Sequence, residues 1–301
     1  MALLLCVLGL QALPAAWIPE RPASLDDGDA PYLLEVGALA SANTWPWEQI
    51  QALRADTPAR NAALAAWLPQ TDVRAQSLCA ILGSGCRGPL AEELFHIGAQ
   101  SLDESLGVAC LLAPAAPDPA WWPALASAAL SRPSPLAVRA AAAARLLEAG
   151  CWGVWPIARS ILRSGTAWDE PAPWADWTRA GRYELPKRLL VSSIDICLAQ
   201  AGQEPCGFEP NASWADQVDR LRAIEPRAQA LKRAAAVAPR AVQDLPTWKA
   251  LLRSASAGDL RATAVLGLLA DPALPLLRAA LAGGDPNAAW MVRRALDERP
   301  L

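Results

Sequence analysis

Three tryptophans, Trp168, Trp174 and Trp177, stand beside Asp169, Glu170 and Asp176 in the stretch TAWDEPAPWADWTRAGRYELP, residues 166–186. Indoles flanked by carboxylates can stack on a sugar ring or cage a cation. The carboxylates alone could carry general acid and base chemistry, a reaction that needs no histidine. The same indoles can also fold back over an interruption in a helical array, since an indole suits a half-buried place where its N–H finds a partner. Sealing is the preferred expectation. If the segment does bind a ligand, the candidate residues are Trp168, Trp174, Trp177, Asp169 and Asp176, as a glycan or cationic-peptide site.

The other chemistry-bearing residues point to structure. The chain has one histidine, so any triad would have to use His96 itself. His96 lies on a predicted helix with Glu92 one turn earlier, and two ligands are too few for a metal. A surface or inter-helix hydrogen bond is expected of it. Asp26 to Asp29 read DDGD, which lacks the spaced oxygens of a calcium loop and reads as a solvated turn. Asn211-Ala212-Ser213 matches a glycosylation acceptor, but Ser213 is also placed to cap a helix. Trp121 and Trp122 are expected to line a core or groove. There is no phosphate-cradling glycine loop, no nucleophile elbow and no Cys-x-x-Cys. Neither catalytic residues nor a metal or cofactor are expected.

Composition narrows the classes further. The 301 residues are 53% hydrophobic and 19% charged, enough to bury a large core, and the net charge is −3. Without a concentrated Lys/Arg run, nucleic acid is not an expected partner, nor is an anionic membrane surface. The apolar run from Ala2 to Leu13, followed by Ala15 and Ala16, resembles a secretory signal and is too short to span a bilayer. On that reading residues 1–16 are a signal segment and the chain is exported, to the periplasm or outside the cell. With no Lys or Arg ahead of the run, the alternative is a first packed helix. Removing Cys6 with the signal would leave six cysteines. Cys79/Cys86 and Cys197/Cys206 each flank a predicted turn and are candidate disulfides, the alternative being free buried thiols.

Such residues need elements to position them, and those elements read as helices throughout. Thr57-Pro58, Asp118-Pro119, Ser134-Pro135, Asp271-Pro272 and Asp285-Pro286 each set a capping side chain before a proline. Gly150, Gly165 and Gly283 stand where helices should stop. Ala140 to Ala144 place small side chains on every side of one helix, which allows close neighbours on both flanks.

The pattern also recurs. DVRAQSLCAILGSG from Asp72 aligns with AVRAAAAARLLEAG from Ala137, and DLRATAVLGLLADPALPLLRAALAGGD from Asp259 and DPNAAWMVRRAL from Asp285 give the same signal. The offset between Arg74 and Arg139 fits two units of roughly 30 residues. These segments resemble HEAT-like, armadillo-type helical repeats, best at 134–165 and 256–298. The resemblance implies an all-α, right-handed α-solenoid of antiparallel helix pairs with an irregular central segment, commonly used for protein binding. It also implies that Arg74, Arg139 and Arg261 belong to the scaffold.

The expected organisation is the signal segment 1–16, an irregular stretch with first helices at 17–56, and HEAT-like repeats at 57–165. A Trp/Pro-rich insert with divergent helical repeats follows at 166–255, then C-terminal HEAT-like repeats at 256–301. The expected function is a non-catalytic scaffold that binds another protein.

Overall fold

In the computed structural model of the chain, the described residues are 30–115, 117–131, 133–163, 189–196, 198–199, 202–206, 219–220, 222–228, 230 and 245–269. Every regular element among them is helical. In chain order the helices are α1 (Ala30–Ser41), α2 (Trp47–Ala52), α3 (Pro58–Trp67), α4 (Val73–Leu82), α5 (Pro89–Gln100) and α6 (Glu104–Leu112). They continue with α7 (Trp122–Leu130), α8 (Leu136–Glu148), α9 (Trp155–Arg163), α10 (Pro246–Ser256) and α11 (Leu260–Leu269).

Several helix starts follow the capping oxygens. Thr57 accepts from the Arg60 N–H at 3.3 Å, Asp72 from Ala75 at 2.9 Å, and Asp103 from Leu106 at 2.8 Å. Asp118 accepts from Ala120 at 2.9 Å and opens a short 3-10 turn, Pro119–Trp121, that leads into α7. Each bond satisfies a donor that has no partner inside the helix. Ser134 departs from the expectation. Pro135 itself takes the cap position of α8, in an extended conformation, so Ser134 stands one residue too far back and caps nothing. At the other end of α8 the expected stop is present. Gly150, at φ +80°, donates to the Leu147 carbonyl at 2.7 Å while Cys151 donates to Leu146 at 2.8 Å. That pair of bonds closes the helix around a left-handed residue, a conformation that costs glycine little.

The helices form two layers. In one, α1 packs on α3, α3 on α5, and α5 on α7; in the other, α2 packs on α4, α4 on α6, and α6 on α8. The layers meet at α5 with α6 and at α7 with α8. A helix that touches the second helix along the chain is the contact pattern of stacked hairpins. Pro58, Pro89 and Pro119 open successive elements of the first layer, and Val73, Glu104 and Leu136 open those of the second. Backbone bonds stitch the turns together, from Ala55 N–H to Leu82 O at 3.0 Å and from Gly85 N–H to Ala113 O at 2.7 Å.

The alanine run sits at the centre of this stack. Ala140 to Ala144 are all fully buried, and α8 meets α5, α6, α7 and α9. Gly107 on α6 is equally tight, since a Cβ there would stand 2.6 Å from Val138 Cγ2. The scaffold arginines tie helix ends. Arg74 gives its Nε to Ala40 O at 2.7 Å and its Nη2 to Ala42 O, with its guanidinium 5.4 Å from the Trp45 ring centre. Arg139 gives Nε to Ala129 O at 3.1 Å.

Beyond α8 the order of packing leaves the order of the sequence. The place beside α7 is taken by α11, which arrives with α10 after more than a hundred residues, rather than by α9. Trp248 on α10 is fully buried and donates its Nε1–H to Pro119 O at 3.0 Å. The short turn Trp152–Val154 meets α11 so closely that a Cβ on Gly153 would collide with the Leu268 carbonyl oxygen. Helical residues in 189–196 and 222–228 reach α8 and α9 through polar bonds. Ser193 donates to Glu148 Oε1 at 3.0 Å, and Glu225 Oε1 accepts from Trp155 at 3.1 Å and Arg159 at 2.9 Å. One continuous apolar core runs from Val36 to Leu269.

Candidate functional site

α2 is a single short helix, and it begins immediately after Pro46. Its first residue, Trp47, leaves 67% of its surface exposed, while Ile50 on the inner side is buried. On α4 the buried residues Ala75, Leu78, Cys79 and Leu82 form the i, i+3, i+4, i+7 stripe of an inward face. Ile81 falls off that stripe and is 39% exposed. Trp47, Ile50, Ala80, Ile81 and Ala109 therefore line a mainly apolar cleft of about 300 Å³ on the layer formed by α2, α4 and α6.

Arg54 and Ser84 close this cleft and open a second one. Arg54 donates Nη2–H to Ser84 O at 3.1 Å. On the far side a wider cleft of about 690 Å³ runs over the ends of α3, α4 and α5, past Asp56, Thr57, Gly85 and Arg87. The floor is braced from behind. Arg60 Nη1 donates to Ala52 O at 2.9 Å and Arg54 O at 3.2 Å, and its guanidinium lies 5.1 Å from the Tyr32 ring centre. Tyr32 in turn donates its hydroxyl to Leu53 O at 2.9 Å. Asp56, the one carboxylate among the described residues lining either cleft, stands 3.8 Å from Arg60. Arg87 is exposed and has no hydrogen bond or ion pair with any described residue.

The residues singled out from sequence fall elsewhere. Trp168, Trp174, Trp177, Asp169, Glu170 and Asp176 lie outside the described residues, as do residues 1–29 and the Asn211–Ser213 site. His96 Nε2 meets the Gln100 amide at 3.2 Å. Burial, and then the charge of Asp118, push the Glu92 carboxyl above its usual range. No group of three or more metal-ligating side chains occurs among the described residues. Trp121 is buried against Phe95, ring centres 5.9 Å apart, and Trp122 is half-buried. Burial also dominates the thiols. Cys79, Cys86, Cys110 and Cys151 are buried and unbonded, and Cys206 is free and partly exposed. Cys79 and Cys86 thus take the free-thiol alternative; Cys197 lies outside the described residues.

No family model, curated protein or solved structure matches the chain.

The groove has no nucleophile paired with a base and no converging carboxylates. What it offers is an exposed indole, an aliphatic side chain, a planar cation with spare donors and a rigid floor. Trp and Arg in such settings are the usual anchors of protein interfaces. Trp47, Arg54, Ile81 and Arg87 were missed in the sequence. The usable signal was an indole placed straight after a proline, together with an isoleucine one position off the buried stripe of α4.

Proposed function

We propose that the chain is a non-catalytic, HEAT-like helical scaffold that binds another protein. The observation that carries this reading is Trp47, two-thirds exposed on a braced helix and sharing one cleft with Ile81. Exposed apolar groups scattered singly need no explanation, but an indole and an isoleucine sharing a cleft mark a contact surface. The regular spacing of Pro58, Pro89 and Pro119 and the two-layer packing support the repeat reading. No helix among the described residues is long and apolar enough to cross a membrane. Export follows from the N-terminal run alone.

A photo-crosslinking residue in place of Trp47, in cells that natively make the chain, tests the reading. The expected result is one discrete protein adduct that excess unlabelled chain removes. A chain that yields no protein adduct from position 47 or from position 81 is not a protein-binding scaffold through this surface.

A further inference from the structure

The groove also carries the chemistry of its occupant. We infer that it holds an extended acidic segment of a partner protein, with one large apolar side chain against Trp47 and Ile81 and carboxylates beside Arg54 and Arg87. This rests on the protein-binding reading and adds the partner's chemistry to it.

Charge decides the sign. Arg54 spends one Nη2 bond on a backbone carbonyl, and Arg87 makes no hydrogen bond or ion pair with any described residue. Among the described lining residues the one carboxylate is Asp56, which faces Arg60 at 3.8 Å. Arg54 and Arg87 outnumber Asp56 in the lining, so an incoming carboxylate meets two guanidiniums, and guanidinium forks match carboxylates geometrically. Two arginines are far fewer than a nucleic-acid backbone requires.

The first cleft follows the seam between α2 and α4, and the wider one lies over the helix ends with Arg54 and Arg87 in its lining, the two sharing Arg54 and Ser84. An extended segment laid across that shared edge seats an apolar residue in the first and acidic residues in the second.

The experiment selects a phage-displayed library of random short peptides on the immobilised full-length chain, after clearing peptides that bind the Trp47→Ala, Arg87→Glu double variant. Enriched sequences should carry a large apolar residue with two or more Asp or Glu close by. A synthetic peptide of the leading sequence, followed by fluorescence anisotropy, should lose about tenfold or more in affinity with Arg87→Glu, and more weakly as salt rises. A Lys-for-Glu version of the peptide should regain binding on Arg54→Glu, Arg87→Glu. Arg87 is exposed, so thermal unfolding of Arg87→Glu should match that of the unaltered chain. The inference is overturned if nothing enriches, if enriched peptides are neutral or basic, or if Arg87→Glu leaves affinity unchanged. A protein adduct at position 47 together with any of those outcomes rejects the acidic partner while leaving the scaffold; no adduct from position 47 or 81 rejects the scaffold.

Discussion

The buried thiols show how a residue can look reactive in a sequence and be inert in the fold. Burial pushes the Cys86, Cys110 and Cys151 thiols up to about 12, and Cys79 higher still. In the unfolded chain a thiol ionises near about 8.5. Between those values the folded state holds the proton and the unfolded state does not, so stability falls as pH rises. Each thiol contributes a slope of about 1.4 kcal/mol per pH unit in that window. The urea midpoint should therefore be level below about pH 8 and drop steadily toward pH 10, with the native thiols unreactive to a disulfide reagent; a flat midpoint over that range is inconsistent with four buried thiols. The ion pair of Arg145 and Glu148 is the second residue-scale test. Burial pulls the guanidinium below its ordinary range and Glu148 opposes that pull. Arg145 also donates to Pro114 O at 2.6 Å, and Glu148 also accepts from Ser193. Glu148→Ala strands the buried charge and should cost about 3 kcal/mol, whereas Ser193→Ala removes one bond and should cost about 1 kcal/mol. Equal losses in chemical denaturation would mean that Arg145 does not depend on Glu148.

At the scale of the element, α8 tests whether the alanine run is there for packing. Ala142 is fully buried, so Ala142→Leu adds three carbons inside the packed core, and overpacking of this kind costs about 1–3 kcal/mol. Ala142→Ser, nearly the same size, should cost less by thermal melting, unless the site has slack. Elements like α8 were legible because their determinants are local. The caps at Thr57 and Asp118, the stop at Gly150 and the alanine run all act within a few residues along the chain; the caps at Asp72 and Asp103 are just as local, although no proline follows them to mark them. Ser134 was misread for the same reason at finer grain, since whether a serine or the following proline takes the cap position turns on a single backbone angle. α1 and α2 were barely visible within 17–56. Their helical character depends on support from outside, in Arg74 holding the end of α1 and Arg60 and Tyr32 holding the end of α2. The groove was hidden with them, because an exposed Trp47 and an off-stripe Ile81 mean nothing until α2 is laid beside α4.

For the whole molecule, the decisive fact is that the stack closes out of sequence order. A strictly sequential array couples each unit to its chain neighbours alone, and stability is then a sum of neighbouring terms. Here α7 depends on α5 and α8 nearby and on α10 and α11 from far along the chain. No pattern within α7 announces the second dependence, since Trp248 and Pro119 lie 129 residues apart. Trp248→Ala empties a fully buried site and removes the bond to Pro119 O, a change worth about 3–5 kcal/mol. Native-state hydrogen exchange reads where that loss is felt. Amides of α7, at 122–130, should lose protection together with those of α10 and α11, while α3 and α4 keep theirs. The reason is that opening α10 and α11 uncovers α7 without touching the earlier pairs. If α7 exchange is unchanged while α10 and α11 open, the late hairpin is an appendage and the array is sequential after all. If all three respond as one unit, the C-terminal hairpin is part of the stack, and the groove at α2 and α4 lies on the part of the molecule least coupled to it.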